Sequence, residues 1–375
     1  MSGGDKTRTG GRTAIVLFNL GGPDGLESVE PFLFNLFNDP AIIALPAPLR
    51  WLVAKLVARR RGPVARGIYR KLGGASPLLA NTEAQARALE AALTTDGGAT
   101  RCFIAMRYWK PFTEDAVRAV KAFSPDRILL LPLYPQFSTT TTGSSLTAWR
   151  RAARKAGLEV PTRAVCCFPR AGGFVEAVAA RVRAGLAEAA RVGTPRVLFS
   201  AHGLPKKIVA AGDPYQWQVE ESCAAIVRAL APPDLGGPNL DYVVCYQSRV
   251  GPLEWIGPAT DKEIERAGAE KRPLVVAPVA FVSEHSETLV ELDIEYAHLA
   301  ARAGVPKYVR VPTVATNAAF IASLAELARA ALGRDESTGS GEDGGMRLCP
   351  ANFEKCPCEN YPRGPGPSNP GVSRS

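Results

Sequence analysis

The 375-residue chain is 46% hydrophobic and 22% charged, a composition that supports a buried core and excludes an intrinsically disordered protein. Its formal net charge of +9 favours acidic partners such as a carboxylate ligand or anionic lipid. The sequence has no apolar run of about 18 residues that could span a bilayer, and no basic stripe with interleaved aromatic residues that would indicate a nucleic-acid partner.

The polar, glycine-rich residues 1–12 predict a disordered N-terminus. They lack the apolar core of a signal peptide, so we expect a cytoplasmic protein. Short apolar runs then alternate with helical stretches, which is typical of an α/β fold with parallel strands. The predicted strands are 13–20, 101–108, 127–135, 162–168, 195–201, 241–248, 272–281 and 306–312.

The strands form two series that match in order. "NLGGP" follows the first strand of one series, and "SAHGLP" follows the first strand of the other. We therefore predict two similar Rossmann-like, doubly wound lobes, 13–180 and 181–332, each with a parallel four-stranded sheet. They face a central cleft, and ligands of such folds bind at the carboxyl ends of the strands. A last helix at 316–332 can pack back on the first lobe.

Residues 31–63 form an enlarged, apolar connection that ends in the basic cluster Arg59, Arg60 and Arg61. One interpretation is a helix pair of the core with a solvated basic end. The other is an apolar lip that touches the inner face of a membrane, with arginines at the anionic headgroups, or that admits a large flat apolar ligand. The same lip could instead contact a second subunit in a homodimer.

Two of the three histidines, His202 and His285, follow apolar runs and therefore belong at the cleft. His285 precedes an acidic stripe in which Glu284, Glu287, Glu291 and Glu295 recur every three or four residues, with Ser283 as the predicted N-cap. The stripe could be a solvated helix face, and His202 could be a hydrogen-bonded structural residue. Together the groups also suit metal delivery or proton relay.

Two other segments argue against common chemistries. "NLGGP" lacks both the G-x-G-x-x-G and the GK[ST] elements, so we expect no nucleotide. Ser200 has the wrong glycine spacing for a nucleophile elbow, which excludes the usual serine hydrolase.

The C-terminal segment 333–375 is predicted to be a flexible linker followed by a Cys- and Pro-rich tail. Cys349, Cys356 and Cys358 form a C-x₆-C-x-C pattern that could bind zinc or an iron–sulfur cluster, both of which need a fourth ligand. The candidates in the body are Cys102, Cys166, Cys167, Cys223 and Cys245.

Several stretches in one order resemble the ferrochelatase family, over about residues 13–332. They are "LFNLGGPDGLESVEPFLFNLF", "YRKLGGASPL", "MRYWKPFTEDAV", "LPLYPQFSTTTTGSSL", "FSAHGLPKK", "GDPYQWQVEES", "YQSRVGPLEWIGPATDKEI" and "VAPVAFVSEHSETLVELDIEY". The resemblance implies two Rossmann-like lobes with a chelatase-like cleft. It also implies an enzyme that inserts ferrous iron, its substrate, into protoporphyrin IX to form protohaem.

The resemblance assigns roles to matching positions. His202 and Glu287, with His285, are implied to be catalytic and to bind the Fe²⁺ substrate, and Glu284 and Glu291 to relay protons or metal. Glu284 stands where the family has an aspartate. The remaining positions, implied to contact the porphyrin or to orient the metal, are Tyr69, Arg60, Arg61, Ser76, Arg107, Tyr108, Ser248, Trp255 and Phe281.

Some family members carry a [2Fe–2S] cluster in a C-terminal extension, which Cys349, Cys356 and Cys358 match. The fourth ligand of relatives can lie in the loop after "LYPQ", which here reads "FSTTTT", so we expect Cys167 or Cys166. A tail with free or zinc-bound thiols is the alternative. The rival functions are a coproporphyrin ferrochelatase, a cobalt or nickel chelatase and a non-catalytic haem-binding protein.

Overall fold

The computed structural model describes residues 11–94, 99–230, 240–334 and 338–358. Most of the predicted disordered N-terminus, and the tail beyond residue 358, lie outside these ranges. The strands, numbered in chain order, are β1 Thr13–Asn19, β2 Thr100–Met106, β3 Arg127–Pro132, β4 Thr162–Val165, β5 Arg196–His202, β6 Tyr242–Gln247, β7 Leu274–Pro278, β8 Tyr308–Arg310 and β9 Thr338–Gly339.

The strands form two parallel sheets, ordered β2-β1-β3-β4-β9 and β6-β5-β7-β8. All eight predicted strands are confirmed, as is the two-lobed α/β class. The helices are α1 Val29–Phe37, α2 Ala47–Lys71, α3 Leu78–Leu93, α4 Thr113–Phe123, α5 Ser144–Ala156, α6 Gly172–Ala189, α7 Lys206–Ala210, α8 Tyr215–Leu230, α9 Thr260–Ala269, α10 Ala297–Ala303 and α11 Ala318–Leu332. The described residues also form two π-helices, Thr139–Gly143 and Glu287–Tyr296, and short 3₁₀ helices at Leu26–Ser28, Ala190–Val192 and Asp343–Gly345.

The central strands read as continuous apolar runs because both of their faces are covered. In β1, Ile15 and Leu17 pack into one hydrophobic cluster, whereas Val16 and Phe18 pack into another on the opposite face. Alternate residues of a strand point to opposite faces, so a strand buried on both sides needs apolar residues at every position.

Helices connect the two lobes. α6 runs unbroken across residue 180, where the sequence suggested a domain boundary. α11 packs against α6 and against α3 of the first lobe, and Arg329 Nη2 donates to the carbonyl of Ala92 at 2.9 Å.

The predicted flexible linker contributes the short strand β9, which adds a fifth strand to the first sheet. Thr338 pairs with Ala164, and the N–H of Cys166 donates to the carbonyl of Gly339 at 2.9 Å. The prediction was wrong here because β4 would otherwise be an edge strand with unpaired backbone groups, which these residues satisfy.

The predicted lip consists of α1 and α2, which pack together over a core that includes Phe32, Leu33 and Tyr69. The outer face of α2 nevertheless exposes Leu49, Leu52 and Leu56, up to 67% for Leu56. Their spacing of three and four residues places them on one face of the helix. The segment is therefore both a packed helix pair and an exposed apolar surface. None of the helices in the described ranges is long and apolar enough to cross a membrane.

Candidate active site

The candidate site lies at the carboxyl ends of the second sheet. His202 is the last residue of β5 and pairs in register with Gln247, the last residue of β6. Glu287 is the first residue of the π-helix that follows β7. Strand ends meeting at one sheet edge therefore bring together residues that are 85 positions apart in the chain.

One carboxylate oxygen of Glu287 lies between two imidazoles. Glu287 Oε2 is 2.8 Å from His202 Nδ1 and 3.6 Å from His285 Nε2. The Nδ1 of His285 is 3.1 Å from the carbonyl of Ser283, which orients the ring. The His202 side chain is 38% exposed, so its imidazole is accessible from the cleft.

The charges at this triad shift the pKa values of its members. Burial around His202 favours the neutral imidazole, but the charge of Glu287 and its hydrogen bond outweigh this and raise the pKa of His202. Burial alone would raise the pKa of Glu287, yet the charges and hydrogen bonds of His202 and His285 hold it well below its ordinary value. Glu287 is therefore a carboxylate at neutral pH.

Glu291 lies one turn further along the π-helix and has polar partners that the sequence did not reveal. Gln247 Nε2 donates to Glu291 Oε2 at 3.0 Å and to the carbonyl of Glu287 at 2.9 Å. The backbone N–H of Ser248 also donates to Glu291, at 2.8 Å. Burial and the neighbouring Glu287 raise the pKa of the Glu291 carboxyl. Aligning the ends of the predicted strands β5 and β6 would place Gln247 beside His202, and this is the sequence signal that could have identified Gln247.

Glu284 lies before the helix and has different partners from Glu287 and Glu291. Its Oε1 accepts hydrogen bonds from Arg310 at 2.6 Å and from the N–H of Thr313 at 2.9 Å. Burial would raise the pKa of Glu284, but the hydrogen bond from Thr288 and the charge of Arg310 lower it. Glu284 is thus part of an ion pair.

The predicted N-cap at Ser283 is wrong. The π-helix begins at Glu287, and the Ser283 hydroxyl donates to Gln85 Oε1 at 3.0 Å instead of capping the helix. The Thr288 hydroxyl accepts from the N–H of His285 at 2.9 Å, so this residue satisfies the backbone at the turn. The Ser283 hydroxyl is engaged by a residue of the other lobe, and the local sequence cannot reveal such a long-range contact.

Four residues that the family resemblance implied for the porphyrin contact the triad or the segments that carry it. The Phe281 ring lies 4.7 Å from the His285 ring, centroid to centroid. Burial and the nearby Glu287 raise the pKa of Tyr69 to about 12, although a hydrogen bond with Ser286 opposes this. Ser248 contacts Glu291, and Trp255 pairs with Pro205, three residues after His202.

Ser76 lies against the "NLGGP" loop and explains one of its glycines. A Cβ on Gly22 would lie 2.5 Å from the Ser76 side chain. Gly21 has φ of +87°, and a Cβ there would lie 2.9 Å from the backbone nitrogen of Trp109. The two glycines are thus required by close packing of the loop.

Arg107 and Tyr108 point toward a buried carboxylate on the lip side. Arg107 Nη2 is 2.7 Å and the Tyr108 hydroxyl 2.8 Å from Asp39 Oδ2. Arg107 also lines a cavity of about 800 Å³ together with Arg151 and Lys155. Asp39 could not be predicted from the sequence, because nothing local distinguishes it from a surface aspartate.

Arg60 and Arg61 are exposed on α2, beyond its apolar face. The Arg61 guanidinium lies 5.8 Å from the centre of the Phe37 ring. Both side chains are therefore accessible to an anionic group at the edge of the lip.

Comparison with known proteins identifies the family. The ferrochelatase family profile matches residues 12–332 of the chain. The chain belongs to the ferrochelatase family. It is similar to proteins named ferrochelatase from Caulobacter vibrioides, with 52% identity over 92% of this chain and 97% of that one. The one from Phenylobacterium zucineum is 53% identical over 93% of this chain and 98% of its own.

Similarity to a solved structure is weaker than these sequence matches. The structure "SirB from Bacillus subtilis with Fe3+" has a TM-score of 0.49 and 11% identity, covering 86% of this chain and 96% of that one. This similarity is too low to add to the ferrochelatase assignment.

The chain also brings five cysteines together in a cluster of their own. Buried thiols of the tail meet two thiols that follow β4: Cys166, Cys167, Cys349, Cys356 and Cys358. Cys166 Sγ is 3.2 Å from Cys358 Sγ and 3.3 Å from Cys167 Sγ. The other cysteines considered, Cys102, Cys223 and Cys245, lie outside this cluster.

The donor set of the cysteine cluster fits a [2Fe–2S] group, which takes four thiolates, two on each iron. Hydrogen bonds from Cys349 and Cys358 lower the pKa of Cys356 to about 3. Gln218 Nε2 donates to Cys349 Sγ at 3.1 Å and to Cys167 Sγ at 3.5 Å, so this amide contacts a thiol of the tail and a thiol of the body. Within the described residues, no three His, Cys, Asp or Glu side chains are arranged to hold a single metal ion.

Proposed function

We propose that this protein inserts Fe²⁺ into protoporphyrin IX and releases two protons, the terminal step of haem biosynthesis. The observation that carries the proposal is Glu287 held between His202 and His285, beside Phe281 and Tyr69. Family membership supports the same reaction. A binding protein would need the cleft but not a carboxylate paired with two imidazoles.

His202 is the proposed proton acceptor. Its Nδ1 contacts Glu287, which leaves Nε2 to face the substrate. Each of the two pyrrole N–H bonds breaks in turn: the proton moves to a neutral Nε2 and then on toward solvent, and the electron pair that remains on the pyrrole nitrogen binds the iron. Glu287 then stabilises the imidazolium as a fixed negative charge. A bent macrocycle would expose its nitrogen lone pairs to the metal.

Glu291 is the proposed next proton carrier. Its raised pKa makes it a better proton acceptor than an ordinary carboxylate, and Gln247 connects it to Glu287. The relay role inferred for Glu284 is weaker, since Arg310 already neutralises that carboxylate. Arg60 and Arg61 are the proposed partners of the propionates, because guanidinium pairs well with carboxylate.

Anaerobic metal insertion tests the proposed reaction. Purified protein is mixed with ferrous iron and either protoporphyrin IX or coproporphyrin, and the visible spectrum follows conversion of the free base to the metalated ring. We expect faster turnover of protoporphyrin, because the apolar lip suits the less polar ring. Faster turnover of coproporphyrin would establish the rival ferrochelatase, and tight binding without insertion would establish a haem-binding protein.

We further propose that the protein is cytoplasmic and binds the inner face of the membrane through the lip. The exposed Leu49, Leu52 and Leu56 would enter the acyl boundary, and Arg59 continues the same helical face toward anionic headgroups. The rings that the cleft would exchange are poorly soluble in water, which makes a lipid surface the favoured occupant over a second copy of the chain.

Substituting Leu52→Glu or Leu56→Glu should weaken binding to phosphatidylglycerol-containing vesicles about tenfold each, since each loses one buried leucine. Co-sedimentation at low and high salt measures the effect. Val192→Glu is the matched control, because Val192 is 53% exposed and lies outside the lip. If the leucine variants keep vesicle binding but convert a dimer to a monomer by light scattering, the lip is a subunit interface.

We also propose that a [2Fe–2S] cluster is held by Cys349, Cys356, Cys358 and one thiol after β4. Cys167 is favoured over Cys166, because Gln218 approaches Cys167, whereas hydrogen bonds to Cys167 and Cys358 raise the pKa of Cys166. Such a group supplies a one-electron redox centre and ties the tail to the body. No step of the proposed iron insertion uses this cluster.

A further inference from the structure

Gln85, on α3 of the first lobe, makes all of its described side-chain hydrogen bonds to loops of the second lobe. Its Nε2 donates to the carbonyls of Val282 and Ala315, both at 3.0 Å, and its Oε1 accepts from the Ser283 hydroxyl at 3.0 Å. The side chain is 1% exposed. Two carbonyl partners can be satisfied only by N–H groups, so they fix the orientation of the amide.

Asn81 lies one turn before Gln85 on the same face of α3 and extends this contact. Its Nδ2 donates to the carbonyl of Glu284 at 3.0 Å. Residues four apart on a helix are neighbours on its surface, so the two amides together hold three consecutive loop residues, 282–284. The held segment ends directly before His285.

The loop needs such contacts because it lies between β7 and the π-helix, where regular backbone pairing is missing. The Val282 carbonyl also accepts from the N–H of Ala315 at 2.9 Å. The Ser283 carbonyl contacts His285 Nδ1, and His285 Nε2 faces Glu287. A continuous series of contacts therefore runs from Gln85 through Ser283 and His285 to Glu287.

We propose that Gln85, supported by Asn81, is a positioning residue that sets His285 and Glu287 against His202 from the opposite lobe. This inference rests on the roles proposed above for His202 and Glu287. Gln85 itself touches no reacting atom. Its effect is on the placement of the loop, and a displacement of about 1 Å at a catalytic group can lower a rate about 100-fold.

A purely structural role makes a different prediction. Apolar packing already joins the lobes at α3, where Leu89 is fully buried, and a methionine at position 85 could replace the lost polar contacts with packing. If Gln85 only fastened the lobes, its loss would change the melting temperature and leave the turnover of folded protein intact.

The test variant is Gln85→Met, which keeps the side-chain length and removes the amide. We expect kcat for iron insertion to fall about 10- to 100-fold, with KM for porphyrin within about twofold of wild type. Leu89→Ala, on the same helix, is the control: it removes packing but no hydrogen bond, so it should lower the melting temperature and keep kcat. The double variant Gln85→Met with Ser283→Ala should be no slower than Gln85→Met alone.

Asn81→Ala provides a milder variant if Gln85→Met does not fold, and should lower kcat several-fold without changing KM. An unchanged kcat in folded Gln85→Met or Asn81→Ala, beside an active wild type and an inactive His202→Ala, overturns the positioning role alone. Equal rates in wild type and His202→Ala overturn instead the catalytic roles on which it rests.

Discussion

The variant His202→Ala is expected to insert iron about 10²- to 10⁴-fold more slowly than wild type. In the wild type, the imidazole of His202 is the exposed base at the end of β5, and alanine cannot accept the pyrrole proton. Porphyrin affinity should change little, since binding depends on the wider cleft. Anaerobic metalation followed by visible absorption gives the rate, and quenching of porphyrin fluorescence gives the affinity.

His298→Ala is the matched control, because His298 is the third histidine and lies exposed on α10. It should insert iron at the wild-type rate. If His202→Ala keeps half of the wild-type rate, another group takes the proton. If it loses porphyrin affinity to the same extent as rate, His202 is a binding residue.

The companion variant Glu287→Gln tests the electrostatics of the pair by its pH profile. The base acts only when neutral, so the rate should rise as pH passes through the pKa of His202. Glu287 raises that pKa, so removing its charge should move the acid limb of the rate to lower pH, with a lower plateau. If the acid limb of Glu287→Gln stays at the wild-type pH, His202 is not the group whose titration limits the rate at low pH.

The second large effect is expected for Cys349→Ser, which should abolish the visible absorption and the reduced-state electron paramagnetic resonance signal of the cluster. Wild-type protein purified without oxygen should contain about two irons and two sulfides per chain. Cys167→Ser should do the same, because Gln218 approaches that sulfur. Cys166→Ser should retain the signal.

Cys102→Ser is the control for this series, since Cys102 packs beside another core cluster and should keep the chromophore. Loss of the signal in Cys166→Ser but not in Cys167→Ser would show that Cys166, and not Cys167, is the fourth ligand. Stoichiometric zinc with no sulfide in wild-type protein would replace the iron–sulfur assignment with a zinc site.

The strands and the positions of the two cleft histidines could be predicted because their signals are local. A strand buried on both faces must be apolar along its length, and residues that follow such strands must lie at the sheet edge. The position of His202 and His285 at the cleft can therefore be predicted from the sequence, and so can that of Glu287, two residues after His285.

The remaining parts of the site depend on contacts between distant segments. Gln85 and Asp39 look like ordinary polar residues until the fold places Val282 and Arg107 beside them. The acidic stripe suggested an α-helix, because periodicity alone does not reveal the wider i→i+5 bonding of a π-helix. Strand β9 was missed because pairing with β4, and not its own composition, orders it.

The helix α2 carries both the exposed apolar face that begins at Leu49 and Tyr69 beside Glu287, within a single element about 37 Å long. If its outer end lies in lipid, the supply of porphyrin depends on how strongly the ring partitions into the bilayer, and not on its solubility in water. The turnover of the protein would then respond to the surface density of substrate, so dilution with empty vesicles should slow it at constant bulk concentration.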